Sequence, residues 1–180
     1  MSKIKQAAAI AQQLPALLSG ALPSLAQLSQ VTLAQSWAAL QGRPLGKQLF
    51  SQLVKLKIPY TGALGAQVEE LGDGHAVVTL RDRRAVRNHL NSIHAIALVN
   101  LGEFTTGLAV FHRLDGRARG IVTDLRIQYV KKARGTMTAR CDIAIPELAG
   151  KIQLEVPGVI SDASGEVVAK VWATWQIQPL

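Results

Sequence analysis

Between Ile93 and Phe111 the chain is almost continuously apolar, and the few polar residues there stand out: His94, Asn100, Glu103, Thr105 and Thr106. Burying an unpaired carboxylate costs on the order of several kcal/mol, so Glu103 needs a reason. One reason is chemical: desolvation raises a carboxyl pKa and makes a general base or nucleophile. The other is structural: a Glu that pairs with an Arg or reaches solvent at a subunit contact. His94 opens the apolar run. At a helix start it sits in the partial positive field, next to free backbone N–H groups that could polarise a carbonyl as an oxyanion hole does. The other reading is a histidine merely hydrogen-bonded in a loop-to-helix junction, the more common case for a lone His.

Spacing constrains any joint role. His94 and Glu103 are nine residues apart. On a helix that is about 900° of rotation and about 13 Å of rise, so they face opposite sides. One helix cannot aim both at one atom. Two antiparallel copies can, with His94 and Ala95 of one subunit meeting Glu103 of the other. If both act, the protein is at least a dimer, with two sites across a two-fold axis.

The surrounding elements must place these groups. Residues 1–57 read as helical: Ser24 is an N-cap candidate after Pro23, and Leu25, Leu28, Val31, Ala34, Trp37 and Leu40 recur at near-helical spacing. Gly42 and Pro44 stop that helix. A second presents Leu49, Phe50, Leu53 and Val54, and Pro59 ends it. Gly72-Asp73-Gly74 is a turn between two strands, 66–71 and 75–80. Residues 92–111 are apolar all round, which marks a buried helix with Ser92 as its cap. Four alternating runs follow, at 121–130, 136–145, 152–160 and 166–178. In the first, Ile121, Leu125, Ile127 and Tyr129 share a face. Turns at Arg134-Gly135, Ala149-Gly150 and Ser164-Gly165 predict an antiparallel meander. The sum is an α+β fold: an antiparallel sheet wrapped around one long buried helix, with a helical extension over 1–44 and the main domain over 45–180. Trp172 and Trp175 face opposite sides of the last strand, one in the core and the other at a sheet contact between subunits.

Composition bounds the rest. The 180 residues have 48% apolar content and mean hydropathy +0.18, which excludes general disorder. No run approaches the ~18 apolar residues of a membrane span. Lys3 and Lys5, followed by Gln6, Gln12 and Gln13, make a poor signal peptide. The lone Cys141 excludes an internal disulfide and a Cys-based zinc cluster, and suits a reducing, cytoplasmic setting. The four histidines are scattered, so no metal is expected. The net charge of +8 favours anionic partners. Its clusters are Arg81, Arg83, Arg84 and Arg87; Arg117 and Arg119; and Lys131, Lys132 and Arg134. Aromatic residues are 4% and none interleaves with the first cluster, so nucleic acid is not an expected partner.

The stretch Asn88-His89-Leu90-Asn91-Ser92-Ile93-His94-Ala95-Ile96, with Glu103 after it, resembles the signature of hotdog-fold acyl-CoA thioesterases. Those enzymes commonly show Asn, then Gly three residues on, then His-Gly-Gly, then Asp or Glu nine residues after the His. Asn88, His94 and Glu103 hold the matching spacings, and Asn91 stands at the Gly, where Asn tolerates left-handed backbone. Pro59-Tyr60, Gly102-Glu103, Tyr129 through Ala133 and the closing Trp172–Trp175 extend the likeness to an uncharacterised bacterial thioesterase branch of that superfamily.

The resemblance implies a long helix wrapped by an antiparallel sheet, and a homo-oligomer, either a dimer or a dimer of dimers. It implies hydrolysis of an acyl-CoA or related pantetheine thioester, with the CoA moiety carried by the substrate and no separate cofactor. Glu103 would activate water or attack the carbonyl, the Ala95 N–H of the other subunit would polarise it, and Asn88 and His94 would orient the site. Lys131, Lys132 and Arg134 would meet CoA phosphates, and the apolar helix face beside Glu103 would line an acyl tunnel. Ala95-Ile96 replaces the paired Gly. Gly107 stands where many relatives carry a water-holding Thr or Ser, and Thr106 comes one position early. These departures favour the main alternative, a non-catalytic acyl-CoA or lipid binding module of the same fold. A dehydratase lacks its His-Phe-Pro-Gly type motif here. A membrane-peripheral role would rest on Lys3, Lys5 and the N-terminal helices; membrane contact is not the expectation.

Overall fold

The computed structural model describes residues 31–180. The Ser24 cap, Leu25 and Leu28 lie outside them. The described part of the first helix is α1, Leu33–Leu40, and it opens on a capping box: Thr32 Oγ1 accepts the Gln35 N–H, and the Gln35 side chain accepts the Thr32 N–H. α2 spans Gly46–Lys57 and buries Phe50 and Val54. It stops at Ile58, and Pro59 starts the single turn α3, Pro59–Gly62. Trp37 meets Phe50 edge-on with ring centroids 5.0 Å apart. Trp37 and Leu40, from the helical extension, belong to the same core as the sheet.

β1, Gln67–Gly72, and β2, His75–Leu80, form the expected hairpin around Asp73-Gly74. Gly74 has φ +67°, and a Cβ there would stand 1.9 Å from the Ile143 carbonyl oxygen, so only glycine closes this turn. α4, Ala95–Leu114, follows a short 3-10 turn at Arg84–Val86. β3 (Ala118–Tyr129), β4 (Met137–Asp142), β5 (Ile152–Ser161) and β6 (Val167–Pro179) complete one six-stranded antiparallel sheet of order β1-β2-β4-β5-β6-β3. It wraps around α4, which is the hotdog arrangement. Gly102 permits the close approach: a Cβ there would lie 2.5 Å from Val171 Cγ2.

Four expectations need correction. The meander holds only for β4, β5 and β6. β3 pairs with β6, because the chain between β3 and β4 does not close a hairpin but crosses the start of α4, where buried Ala133 accepts the Ile93 N–H at 2.8 Å. Ile121 does not share a face with Leu125 and Ile127. The register slips between Val122 and Asp124, and this bulge reverses the alternation, leaving Ile121 61% exposed while Val122, Leu125 and Ile127 pack on the core. The cap of α4 is His94 rather than Ser92. Finally, α4 is long and apolar enough to cross a membrane by length and composition, with mean hydropathy 1.3. Its polar residues break up consecutive runs but barely lower the average; here more than half of that apolar stretch is buried inside the fold.

Candidate active site

The segment before α4 is held at many points. Asp82 accepts from Arg87 Nε at 2.6 Å and from the Gly135 N–H at 2.9 Å. These contacts hold the Asp82 carboxyl below its ordinary range, with the Arg87 hydrogen bond the largest cause. Asn88 acts within its own loop: its Oδ1 accepts the N–H groups of Leu90 at 2.9 Å and Ser92 at 3.2 Å, and its N–H donates to Ser92 O at 2.8 Å. Asn91 has φ +53°, the left-handed geometry that its place in the signature calls for. The His94 N–H donates to Val86 O at 2.8 Å. This loop therefore fixes where α4 begins.

At that beginning, His94 Nδ1 accepts the Ile96 N–H at 3.1 Å. Among the described residues nothing accepts the Ala95 N–H, and His94, Ala95 and Ile96 are all exposed. On the far side of this first turn, the Tyr129 hydroxyl donates to Ala95 O at 3.1 Å and ties the end of β3 to the helix. That tie spans 34 residues, and no sequence signal marks it.

Glu103 lies two turns further along. Ile96, Val99, Asn100 and Glu103 form one stripe at helical spacing, and it is the less buried stripe of the N-terminal half of α4. Glu103 is half-buried, and desolvation alone pushes its carboxyl above the ordinary range. Among the described residues its carboxylate has neither an ion-pair partner nor a hydrogen-bond donor. The Arg pairing considered from sequence is not found. His94 and Glu103 of one chain sit on opposite sides of α4 and are not brought together.

Thr106 is fully buried, and its hydroxyl donates to the Glu103 backbone oxygen at 2.8 Å while accepting from Trp175 Nε1 at 3.3 Å. Both contacts turn it away from any water beside the Glu103 carboxylate. Gly107 is explained by the same indole: a Cβ there would stand 3.0 Å from the Trp175 ring. Trp175 also meets Phe111 edge-on at 5.2 Å. It is the core member of the tryptophan pair, whereas Trp172 lies outside under the Arg126 guanidinium, 3.9 Å from the ring centroid.

The cationic cluster after β3 is divided. Lys131 is paired with Asp162 and Glu166, which raise its pKa, while Lys132 and Arg134 are exposed and have no ion-pair partner among the described residues. The Ala133 contact places these residues at the start of their own chain's α4. Cys141 is buried in β4 with its thiol pushed up to about 12 by burial, so it offers no nucleophile. Among the described residues no group of three or more His, Cys, Asp or Glu is arranged to hold a metal ion.

Comparison with known proteins adds a family and a fold. The family model described as Domain of unknown function (DUF4442) matches residues 46–177. No curated protein matches the sequence. Among solved structures, a structural-genomics target is 27% identical at TM-score 0.71, covering 82% of this chain and 99% of its own. A protein of unknown function from Pseudomonas aeruginosa, described as a probable thioesterase, is 24% identical at TM-score 0.65, with 76% of this chain and 98% of its own covered. A thioesterase from Staphylococcus aureus is 17% identical at TM-score 0.59, with 67% and 99% covered. At these identities the last two speak for the fold.

Proposed function

We propose that this chain, which belongs to the DUF4442 family, hydrolyses an acyl-CoA or related pantetheine thioester to the free acid and thiol at a site shared between two subunits. The observation that carries the reading is Glu103: a half-buried carboxylate without a partner among the described residues, its pKa raised by desolvation, on the open stripe of the central helix. Such a group is costly to keep for structure and useful as a base. The structures described as thioesterases share the fold that carries this carboxylate.

The mechanism needs a second subunit, because a carbonyl held near Glu103 cannot reach the Ala95 N–H of the same helix. β3 is a twelve-residue edge strand, paired on one side only, with Ile121 exposed near one end and Tyr129 and Val130 at the other. An unpaired edge of that length suits antiparallel pairing with a second copy. In the dimer, Glu103 takes a proton from water, and the resulting hydroxide attacks the thioester carbonyl. The oxyanion is met by the Ala95 N–H of the other subunit, at the positive end of its helix. The C–S bond breaks, and the proton held by Glu103 passes to the leaving thiolate. Asn88 and His94 act by fixing the position of that N–H. Lys132 and Arg134, beside the same helix start, face the CoA phosphates; Lys131 contributes less because Asp162 and Glu166 offset its charge.

The test is release of free thiol from short, long and aromatic acyl-CoA esters, wild type beside Glu103→Gln. The variant is expected to lose about 10²-fold or more in turnover while remaining folded. Unchanged turnover removes Glu103 from the mechanism. The alternative, acyl-CoA or lipid binding without hydrolysis, is favoured by two observations: Ile96 projects from the first turn, and the Thr106 hydroxyl is fully engaged. Calorimetric binding of acyl-CoA without thiol release would establish it.

A further inference from the structure

The arginine cluster that follows β2 has no part in the chemistry above. Extended backbone sends successive side chains to opposite sides. Asp82 points one way, to Arg87 and the Gly135 N–H. Arg81 and Arg83 point the other way, into a cleft of about 350 Å³ between α2, α3 and the β1–β2 hairpin. Lys55 of α2, Thr61 and Phe104 also line it. That volume is in the range of small-ligand sites.

The cleft has the features of an oxyanion site. Three cations line it and no carboxylate does. The neighbouring carboxylate Glu69, outside the lining, is held by Thr79 Oγ1 at 3.1 Å and Gln67 Nε2 at 3.0 Å, with Lys47 at 3.7 Å. Arg83 is fixed in advance: its Nη2 donates to Ala63 O at 2.9 Å and Leu64 O at 2.8 Å, leaving its other N–H groups for a ligand. Arg81 and Lys55 have no ion-pair or hydrogen-bond partner among the described residues. Thr61, with 8% of its surface exposed, places a hydroxyl in the wall. Like charges gathered around a concavity with no counter-charge in its lining repel one another, and a bound anion relieves that repulsion.

We infer that this cleft binds a small oxyanion, a carboxylate or phosphate group, gripped by Arg81, Arg83 and Lys55. Arginine grips both groups in a bidentate way, so the chemistry is shared. Two sources could carry it: a free anionic metabolite, or the far end of an acidic acyl group whose thioester lies at Glu103, the residue before the lining Phe104. The inference does not depend on hydrolysis.

The experiment titrates inorganic phosphate, then succinate, into the full-length protein by calorimetry at low salt. Wild type is expected to bind at least one of them, with Kd raised about tenfold in Arg81→Gln and in Lys55→Gln. Neither variant removes a hydrogen bond of the fold, and circular dichroism confirms that both are folded. Arg83→Lys, which keeps the charge but loses the fork, is expected to weaken binding as well. A thiol-release arm compares acyl-CoA esters of equal length with and without a terminal carboxylate. A preference for the acidic ester that Arg81→Gln abolishes assigns the anion to the substrate; binding of the free anions with no such preference assigns it to a separate ligand. Absence of binding by either anion in wild type, or binding unchanged in both Arg81→Gln and Lys55→Gln, overturns the proposal whatever the enzyme does to thioesters.

Discussion

His94 Nδ1 accepts the Ile96 N–H at 3.1 Å, while the Ala95 N–H between them is left without an acceptor among the described residues. The imidazole caps the helix at its second residue, not its first. It thereby leaves open the one N–H that points out of the first turn beside exposed Ala95. In the proposed reaction the histidine is thus a positioning residue, and the backbone of Ala95 is the group that touches substrate.

That assignment can be tested by removing one hydrogen. Ala95 is the first helical residue, where proline is tolerated, and His94 before it has φ −63° and ψ 139°, the conformation a following proline requires. Ala95→Pro should fold with a stability close to wild type and lose about 10²-fold or more in turnover. Mixing it with Glu103→Gln through unfolding and refolding should restore about a quarter of wild-type activity, since half the dimers are mixed and each has one intact site. No recovery would place both groups of a site in one chain and sink the shared-site reading.

His94→Ala should destabilise the protein by about 1 kcal/mol through loss of the cap, read from urea unfolding. His94→Asn, with a shorter side chain that also caps well, should recover most of that loss and part of the turnover. If Asn restores stability but no activity at all, His94 does more than position the helix.

Glu103 should leave a signature in stability as well as in rate. Its folded pKa is raised above the ordinary value of 4.5 by desolvation. The stability linked to it is therefore complete below the unfolded value and lost as pH rises through the folded one. At neutral pH the ionised carboxylate is a burden that Glu103→Gln removes. The variant should match or exceed wild type in urea midpoint near neutrality, and that advantage should shrink on acidification. A variant less stable at every pH would mean that Glu103 makes a structural contact.

The two halves of the cationic cluster should separate in kinetics. Lys132→Ala with Arg134→Ala should raise KM for acyl-CoA, more so at low salt, with kcat little changed. Lys131→Ala should have the smaller effect, because its charge is already shared with Asp162 and Glu166. A larger effect from Lys131 would show that ligand displaces those carboxylates.

A second pH effect belongs to the start of β2, between β1 and β4. His75 Nδ1 lies 2.6 Å from Asp142 Oδ1 and its Nε2 3.0 Å from Glu70 Oε2. The Asp142 hydrogen bond leads in raising its pKa above the ordinary 6.5. This contribution is complete below the unfolded value and disappears as pH rises through the folded one. The urea midpoint should fall between mildly acidic and mildly alkaline pH, and His75→Gln should flatten that fall. An unchanged slope in the variant would assign the titration elsewhere.

The sequence by itself determined the elements and the chemistry on offer. Apolar continuity over 93–111 marks the buried helix, Asp73-Gly74 closes the hairpin, and Asn91 is a residue that tolerates left-handed backbone. The nine-residue step from His94 to Glu103 already implied opposite faces. These are local properties, set by side-chain periodicity and backbone sterics over a few residues. Tertiary structure decided what depends on distant partners. The bulge after Val122 turned Ile121 outward, because one extra residue inverts a two-residue repeat. Trp175 claimed the Thr106 hydroxyl from 69 residues away and left room at 107 only for glycine. Asp162 and Glu166 took Lys131 out of a cluster that looked uniform in one dimension. Arg81 and Arg83 were two charges among many until folding gathered them with Lys55 around one cleft. Charge and hydroxyl chemistry act through contacts of a few ångströms, and which contacts exist is fixed only when the sheet has closed around its helix.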